Sequence, residues 1–488
     1  AVGLAATAYL TFGDRSEGVL AMGIAGLALL VMAAAWSVRS REDARPLALF
    51  AATGAALAFA ALLLATPGWL APLAATAIGA LLLAAFRHRG ERPLRLVLAG
   101  VSLVTVLAMM GHGRFEGELL RLFGTGERGI DAIGALRWLA AAAMTAGFAW
   151  REPHAMRRWI GEAACVLLLY GSAAQLVPQQ ALAWIAAGLA IALVRALPAR
   201  PAATLAALAL AAAWALEPLF RWLNAALGSL QGVPVFANAL PAPSTVALYL
   251  VPAAVAFALV RLRLAWKIEG GLTLAIGLVA AHILFKQLFD IDNAQRFVAY
   301  GLAERTLWEA LLLAGAVAAA RIKPLSLALA GTALAHFALY TGLAHNPLWA
   351  QQNVGTLPIV NLAGAAYVIA VFAALWLRRE SSARIQPLWD GVVMLLASLA
   401  VLTLLRQAFA GAILAAVPLG QTEDLLRSLA GILLALFFLW LGSRRKERSW
   451  RLGSLAIMLV AVAKVFLVDA AGLDGLLRVA SFMALGFS

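Results

Sequence analysis

The stretch "IAVFAALWLRRESSARIQPLWDGVVMLL", residues 369–396, decides the fold. Apolar residues run up to Leu377, break at Arg378 and resume after Pro387. Neither flank alternates polar and apolar as a half-buried strand would. Each flank continues for about 18–22 residues, enough for a helix to cross the roughly 30 Å hydrocarbon core of a bilayer. The intervening "RRESSARI" therefore closes a hairpin of two spanning helices.

The same pattern repeats along the chain. Sixteen apolar segments, from 18–37 to 450–468, have spanning length, and partial spans at 1–12 and 475–488 bring the expected total to about 18 helices. Every second connection is short and basic: "VRSREDAR", "RHRGERPLR", "REPHAMRR", "RALPAR", "RLRLAWK", "RIK", "RRESSARI" and "RRKERSWR" hold 25 of the 38 Lys and Arg residues. Cationic short loops stay on the cytoplasmic side. Connections such as "FDIDNAQRFVAY" and "HNPLWAQQNVGTLP" then lie outside. The expectation is an all-α, polytopic transmembrane protein built from repeated helical hairpins, spanning 1–488 as a single transmembrane domain. Residues 1–243 form its amino-terminal hairpins, and 244–488 its carboxy-terminal hairpins with a polar outer site. A repeated unit of this kind is either a scaffold that has grown by duplication or the frame of a transport path.

Composition agrees. The 488 residues are 64% hydrophobic and 13% charged, with a mean hydropathy of +0.90, far from the roughly 25% charge of soluble domains. The net charge of +14 is scattered through turns and not gathered on one wet face, so no nucleic-acid partner is expected. The single cysteine, Cys165, excludes an intrachain disulfide or a cysteine metal cluster and reads as helix packing. No cofactor is expected: the chain has no phosphate-binding loop, H-E-x-x-H or G-x-S-x-G motif. The chain begins at Ala1, and both ends read as truncated.

The closing segment "LFFLWLGSRRKERSWRLGSLAIMLVAVAKVFLVDAAGLDGLLRVASFMALG" resembles the signature of a family of predicted bacterial membrane proteins, domain of unknown function 2339. Its pattern is a basic loop, a helix ending in Lys-Val-Phe-Leu-x-Asp (Lys464 to Asp469), then Leu-x-Gly-Leu-x-Arg-x-Ser-Phe (Leu473 to Phe482). "LPIVNLAGAAYVIAVFAALWLRR", with Asn361, is similar to a second family segment. The resemblance implies a large polytopic protein, often with an additional amino-terminal segment, and implies no activity. The expected location is the bacterial inner membrane.

Orientation fixes depth, at about 1.5 Å per helical residue. Lys464 and Arg478 then lie about one turn below Asp469 and Asp474 in an outer hairpin turning at Gly472. Asp474 and Arg478 have i,i+4 spacing, and Lys464 can snorkel toward Asp469. This group reads either as a clamp or as an anion or headgroup site. A second group sits deeper. His282 and Lys286 share one helix face; Tyr300, Glu304 and Trp308 form a stripe on the next helix, with Arg305 and Glu309 adjacent. Glu309 comes out roughly 13 Å below the outer boundary, at a depth similar to His282 and His336. Ionisable groups at mid-membrane are costly unless paired or wetted. Three readings follow: a packing network, a wet cavity for a polar substrate or protons, and a metal site of His282, His336 and Glu309, which have the right ligand types without tight spacing.

Other polar residues collect on the outer side: Glu217 with Arg221, and Arg406, Glu423, Asp424 and Arg427 around "GAILAAVPLGQ". His345, Asn346, Gln351, Gln352 and Asn353 surround Trp349 in a loop that reads as wet or as sugar-binding. Residues 112–124 place Phe115, Leu119, Leu120 and Phe123 on one side, as a surface amphipathic helix would. Asp290 and Asp292 form an acidic pair of the kind that holds metal in membrane glycosyltransferases. The leading expectation is binding or translocation of a lipid or lipid-linked glycan, with membrane lipids and a periplasmic protein as further partners. A glycosyl- or acyl-transferase acting on the outer face, and a scaffold, are the alternatives.

Overall fold

The structure, a computed structural model, describes residues 17–40, 42–111, 113–125, 129–260, 266–358 and 360–466. It is all-helical, with seventeen helices: α1 Glu17–Ser37, α2 Ala44–Ala65, α3 Ala71–Ala85, α4 Arg92–Met110, α5 Phe115–Leu122, α6 Ala132–Arg151, α7 Ala155–Ala174, α8 Gln179–Ala196, α9 Pro201–Leu230, α10 Val251–Leu259, α11 Trp266–Phe289, α12 Ala294–Ala318, α13 Lys323–His336, α14 Leu362–Glu380, α15 Gln386–Ala410, α16 Gln421–Arg445 and α17 Arg448–Lys464. Among the described residues, thirteen helical stretches are long and apolar enough to cross a membrane by length and composition. α7 and α12 are not among them; both carry acidic and basic residues along their length. Two π-helical segments interrupt the α geometry, Val246–Leu250 and Phe337–Ala344. The expected partial spans at 1–12 and 475–488 lie outside the described residues.

The six most extensively packed helix pairs are α1/α2, α6/α7, α16/α17, α14/α15, α3/α4 and α12/α13. Each pair is joined by one of the basic turns, so helix, basic turn and helix form the structural unit. Side-chain caps fix where several helices start: Asp43, Asp131, Asn293 and Asn361 each accept from a backbone N–H in the first turn, satisfying donors that the helix cannot.

The described residues fall into two compact units, divided at 219/220, 243/244 and 280/281. The core of the first is alanine-rich. Ala183, Ala186, Ala190, Ala207 and Ala211 are fully buried around Trp138, Tyr170 and Leu182, because small side chains let apolar helices approach closely where no hydrophobic force drives them together. Gly171 shows how close: a Cβ there would sit 2.0 Å from the Trp138 ring. The second unit packs Phe337, Tyr367, Met394, Phe438 and Trp450 among Ala366, Ala370 and Ala374.

α5 turns an apolar side outward and an acidic residue inward. Leu119, Leu120 and Phe123 are exposed, while Glu118 and Leu122 are the buried positions. The reason is Arg137 on α6, fully buried, whose guanidinium donates to the Trp69 and Met109 carbonyls and meets Glu118 at 2.9 Å as an ion contact. Trp138 Nε1 also donates to Glu118. A buried guanidinium needs a carboxylate, and α5 supplies one by turning Glu118 inward. Burial pushes the Glu118 carboxyl up from its ordinary value, with Arg137 opposing.

Truncating Glu118 to Ala strands Arg137 and is expected to cost about 3–5 kcal/mol in a detergent unfolding assay. The paired Glu118→Leu, Arg137→Met change should recover most of that loss. Equal losses in the single and double variants would mean that the pair is not what holds α5 down.

Candidate functional site

The second unit contains a buried polar centre built by α11, α12, α13 and the last turns of α9. α12 supplies Glu304, Arg305, Trp308 and Glu309, all buried, with Glu309 0% exposed. Glu309 lies about 22 Å along α12 from Ala294 and about 13 Å from Ala318, near the middle of the helix. Tyr300, expected on the same stripe, is 56% exposed and stays outside the group.

Four residues apart on α11, Lys286 and His282 face α12, as their spacing predicts. Lys286 Nζ meets Glu304 Oε1 at 2.7 Å. His282 packs against the rings of Trp308 and His336, with centroids 5.1 and 5.6 Å away. Trp222 on α9 donates its Nε1–H to His282 Nδ1 at 3.0 Å, which makes that nitrogen an acceptor and leaves the ring proton of a neutral His282 on Nε2.

α13 supplies the partners of Glu309. His336 Nδ1 lies 2.9 Å from Glu309 Oε1, and the Thr341 hydroxyl donates to the same oxygen at 3.1 Å. These two residues are five apart, a spacing that would face different ways on an α-helix. The π-helical segment Phe337–Ala344 begins immediately after His336, and its wider i,i+5 turn brings both side chains to one oxygen. Arg305 Nε donates to Thr341 Oγ1 at 3.3 Å, so Thr341 bridges guanidinium and carboxylate. Among the described residues Glu309 Oε2 has no hydrogen-bond partner.

The loop after α13 departs from the wet loop expected. His345, Asn346 and Gln352 are all buried, with Trp349 exposed. Gln352 Oε1 and the His345 carbonyl accept from Arg305 at 3.0 and 3.4 Å, and His345 Nε2 meets Ser229 Oγ at 2.9 Å. A buried Arg305 needs acceptors, and the loop folds inward to provide them. A small cavity of about 20 Å³ lies among Trp222, Ser229, His282, Lys286, Arg305 and His336, enough for water.

Lys464 does not join this centre; it meets Asp424 Oδ1 at 3.0 Å and Ser428 Oγ at 2.7 Å across α16 and α17. Asp469, Asp474 and Arg478 lie outside the described residues. Glu423 bridges Arg406 and Arg427, with the Leu414 and Val417 carbonyls completing the Arg406 shell. No group of three or more His, Cys, Asp or Glu among the described residues is arranged to hold a metal ion, so His282, His336 and Glu309 form a hydrogen-bonded and stacked group. Asp290 and Asp292 are exposed and share Arg296 at 3.1 and 3.6 Å. Sequence reasoning found α11 and α12 from their charges. It missed Trp222, Ser229 and Thr341, which carry no charge and stand on apolar helices.

Thr341→Val keeps the shape of the bridge and removes its hydroxyl. Thermal unfolding should show a loss of about 1–3 kcal/mol, the cost of stranding buried polar partners. A second prediction concerns pH. Burial, reinforced by Arg305 and Lys286, pushes His345 down from 6.5 to about 4. Protonation therefore opposes folding: the contribution is complete above pH 6.5 and is lost as pH falls toward 4. The full loss is ~3 kcal/mol, and His345→Gln should flatten the stability profile in that window; an unchanged slope would assign it elsewhere.

No curated protein and no solved structure matches this chain. A family model described as predicted membrane protein, domain of unknown function 2339, matches residues 1–488, and the chain belongs to that family.

Proposed function

We propose that the protein binds or moves an anionic amphipathic component of the cell envelope, a lipid or lipid-linked glycan, and that Glu309 and His336 carry the proton that accompanies it. On this reading the basic turns face the cytoplasm of a bacterial inner membrane, and the ligand's headgroup approaches from the opposite side, toward Lys286 and Arg305. The observation that carries the reading is Glu309: fully buried in the interior of α12, tied to His336 through one oxygen, with the other oxygen unpartnered among the described residues. A scaffold does not need such an arrangement, which costs several kcal/mol where no water reaches it. The cavity beside it is small, so a headgroup enters only when helices part, and the π-helical turn beside His336 is the element suited to yield. The transferase alternative has less support, because Asp290 and Asp292 point at Arg296 and not at a shared metal position.

Native mass spectrometry of the protein in mild detergent tests this. The wild type should carry a discrete anionic amphiphile, and the charge-neutral Arg305→Gln, Glu309→Gln variant should lose it at matched stability. The same bulk phospholipids on both proteins would overturn the proposal and favour a scaffold for periplasmic partners.

A further inference from the structure

Among the described residues one cation of the polar centre has no carboxylate in direct contact. Arg305 is 4% exposed, and among the described residues no carboxylate lies within ion-pair distance of it. Its guanidinium donates only to neutral acceptors, the Thr341 hydroxyl, the His345 carbonyl and the Gln352 amide oxygen, and the Phe297 ring lies 5.4 Å from Cζ. Lys286, by contrast, has its own carboxylate in Glu304. A buried cation with neutral partners alone is an incomplete arrangement.

The cavity of about 20 Å³ abuts this guanidinium. Its wall includes Lys286, His282, Tyr340 and Ser229, and it contains no carboxylate. The polar side chains there bring N–H and O–H groups to a space that holds water or a monatomic ion and excludes a phosphate. We propose that this cavity binds a small monovalent inorganic anion, a halide, beside Arg305, and that the anion's occupancy is linked to protonation of Glu309. The inference rests on the polar centre being the working part of the protein, as the proposed function has it, but not on the identity of the amphiphile.

The linkage follows from charge balance. Lys286 and Glu304 cancel, so Arg305 is balanced only by Glu309, which it reaches through Thr341. When Glu309 takes a proton, the centre carries one net positive charge, and a halide restores neutrality. Proton and anion then come and go together. His336 and Thr341 meet Glu309 directly and Arg305 reaches it through Thr341; His282 and Tyr340 pack on the His336 ring, and Glu304 on the same helix is paired with Lys286 of α11. Further out, Tyr367 on α14 packs against Phe337, and the His345 carbonyl accepts from Arg305.

The probe is bromide, compared with gluconate at equal ionic strength, read as the thermal unfolding of the full chain in detergent by tryptophan fluorescence at pH 6 and pH 8. Bromide should raise the Tm of the wild type at acid pH, and its half-saturating concentration should rise about tenfold per pH unit once Glu309 is ionised, because only the protonated fraction binds. Glu309→Gln should respond to bromide equally at both pH values. Arg305→Gln should not respond; should that variant fail to fold, Ala226→Val, which fills the cavity and keeps every charge, should lose the response instead. Equal stabilisation by gluconate, or an undiminished bromide effect in the Arg305 or Ala226 variant, would overturn the inference. An absent bromide effect with amphiphile capture intact would remove the halide and leave the proposed function standing.

Discussion

A charged or polar group inside a bilayer has no solvent to satisfy it, so its partners must come from the chain itself. This constraint explains most of what is irregular in the structure. Three buried arginines, Arg137, Arg305 and Arg406, each draw irregular backbone inward as a source of carbonyls: Trp69 in the first case, the His345 loop in the second, and the segment through Leu414 and Val417 in the third. The apolar helices are the regular background. The loops that fold back are shaped by the cations they must satisfy.

Two of these arginines are closed and one is open. Arg137 and Arg406 each meet a buried glutamate, and nothing about them suggests movement. Arg305 has neutral partners and reaches its nearest available carboxylate through a hydroxyl. The contrast matters because all three are buried in the same kind of apolar surroundings, so burial alone does not distinguish a clamp from a site. What distinguishes them is whether the charge is already matched.

The architecture was legible in the sequence because its signals are strong and local. An apolar run of spanning length and a basic turn are read without knowing any neighbour, and six of the eight such turns join the helix pairs that pack most extensively. Lys286, Glu304, Arg305 and Glu309 were legible for the same reason: a charge on an apolar helix stands out. What sequence could not show was who meets whom. That Lys464 meets Asp424 and Ser428 on the facing helix could not be read from nearness in the chain. His345 and Gln352 looked like a wet loop because a polar loop normally is one, and only the buried guanidinium makes the inward fold favourable. The apolar side of α5 was legible as a stripe, but the buried ion pair of Glu118 with Arg137 that holds the helix down was not.

The π-helical segment after His336 closes the helix that α13 begins, wound one residue wider per closing hydrogen bond than an α-helix. Counted as an α-helix, the same stretch would carry Thr341 roughly a quarter turn away from Glu309, while leaving His336 where it is. Arg305 and Glu309 would then lose their only intermediary without any helix unfolding or any side chain leaving the interior. The winding of this one segment thus settles whether the guanidinium and the carboxylate are in communication.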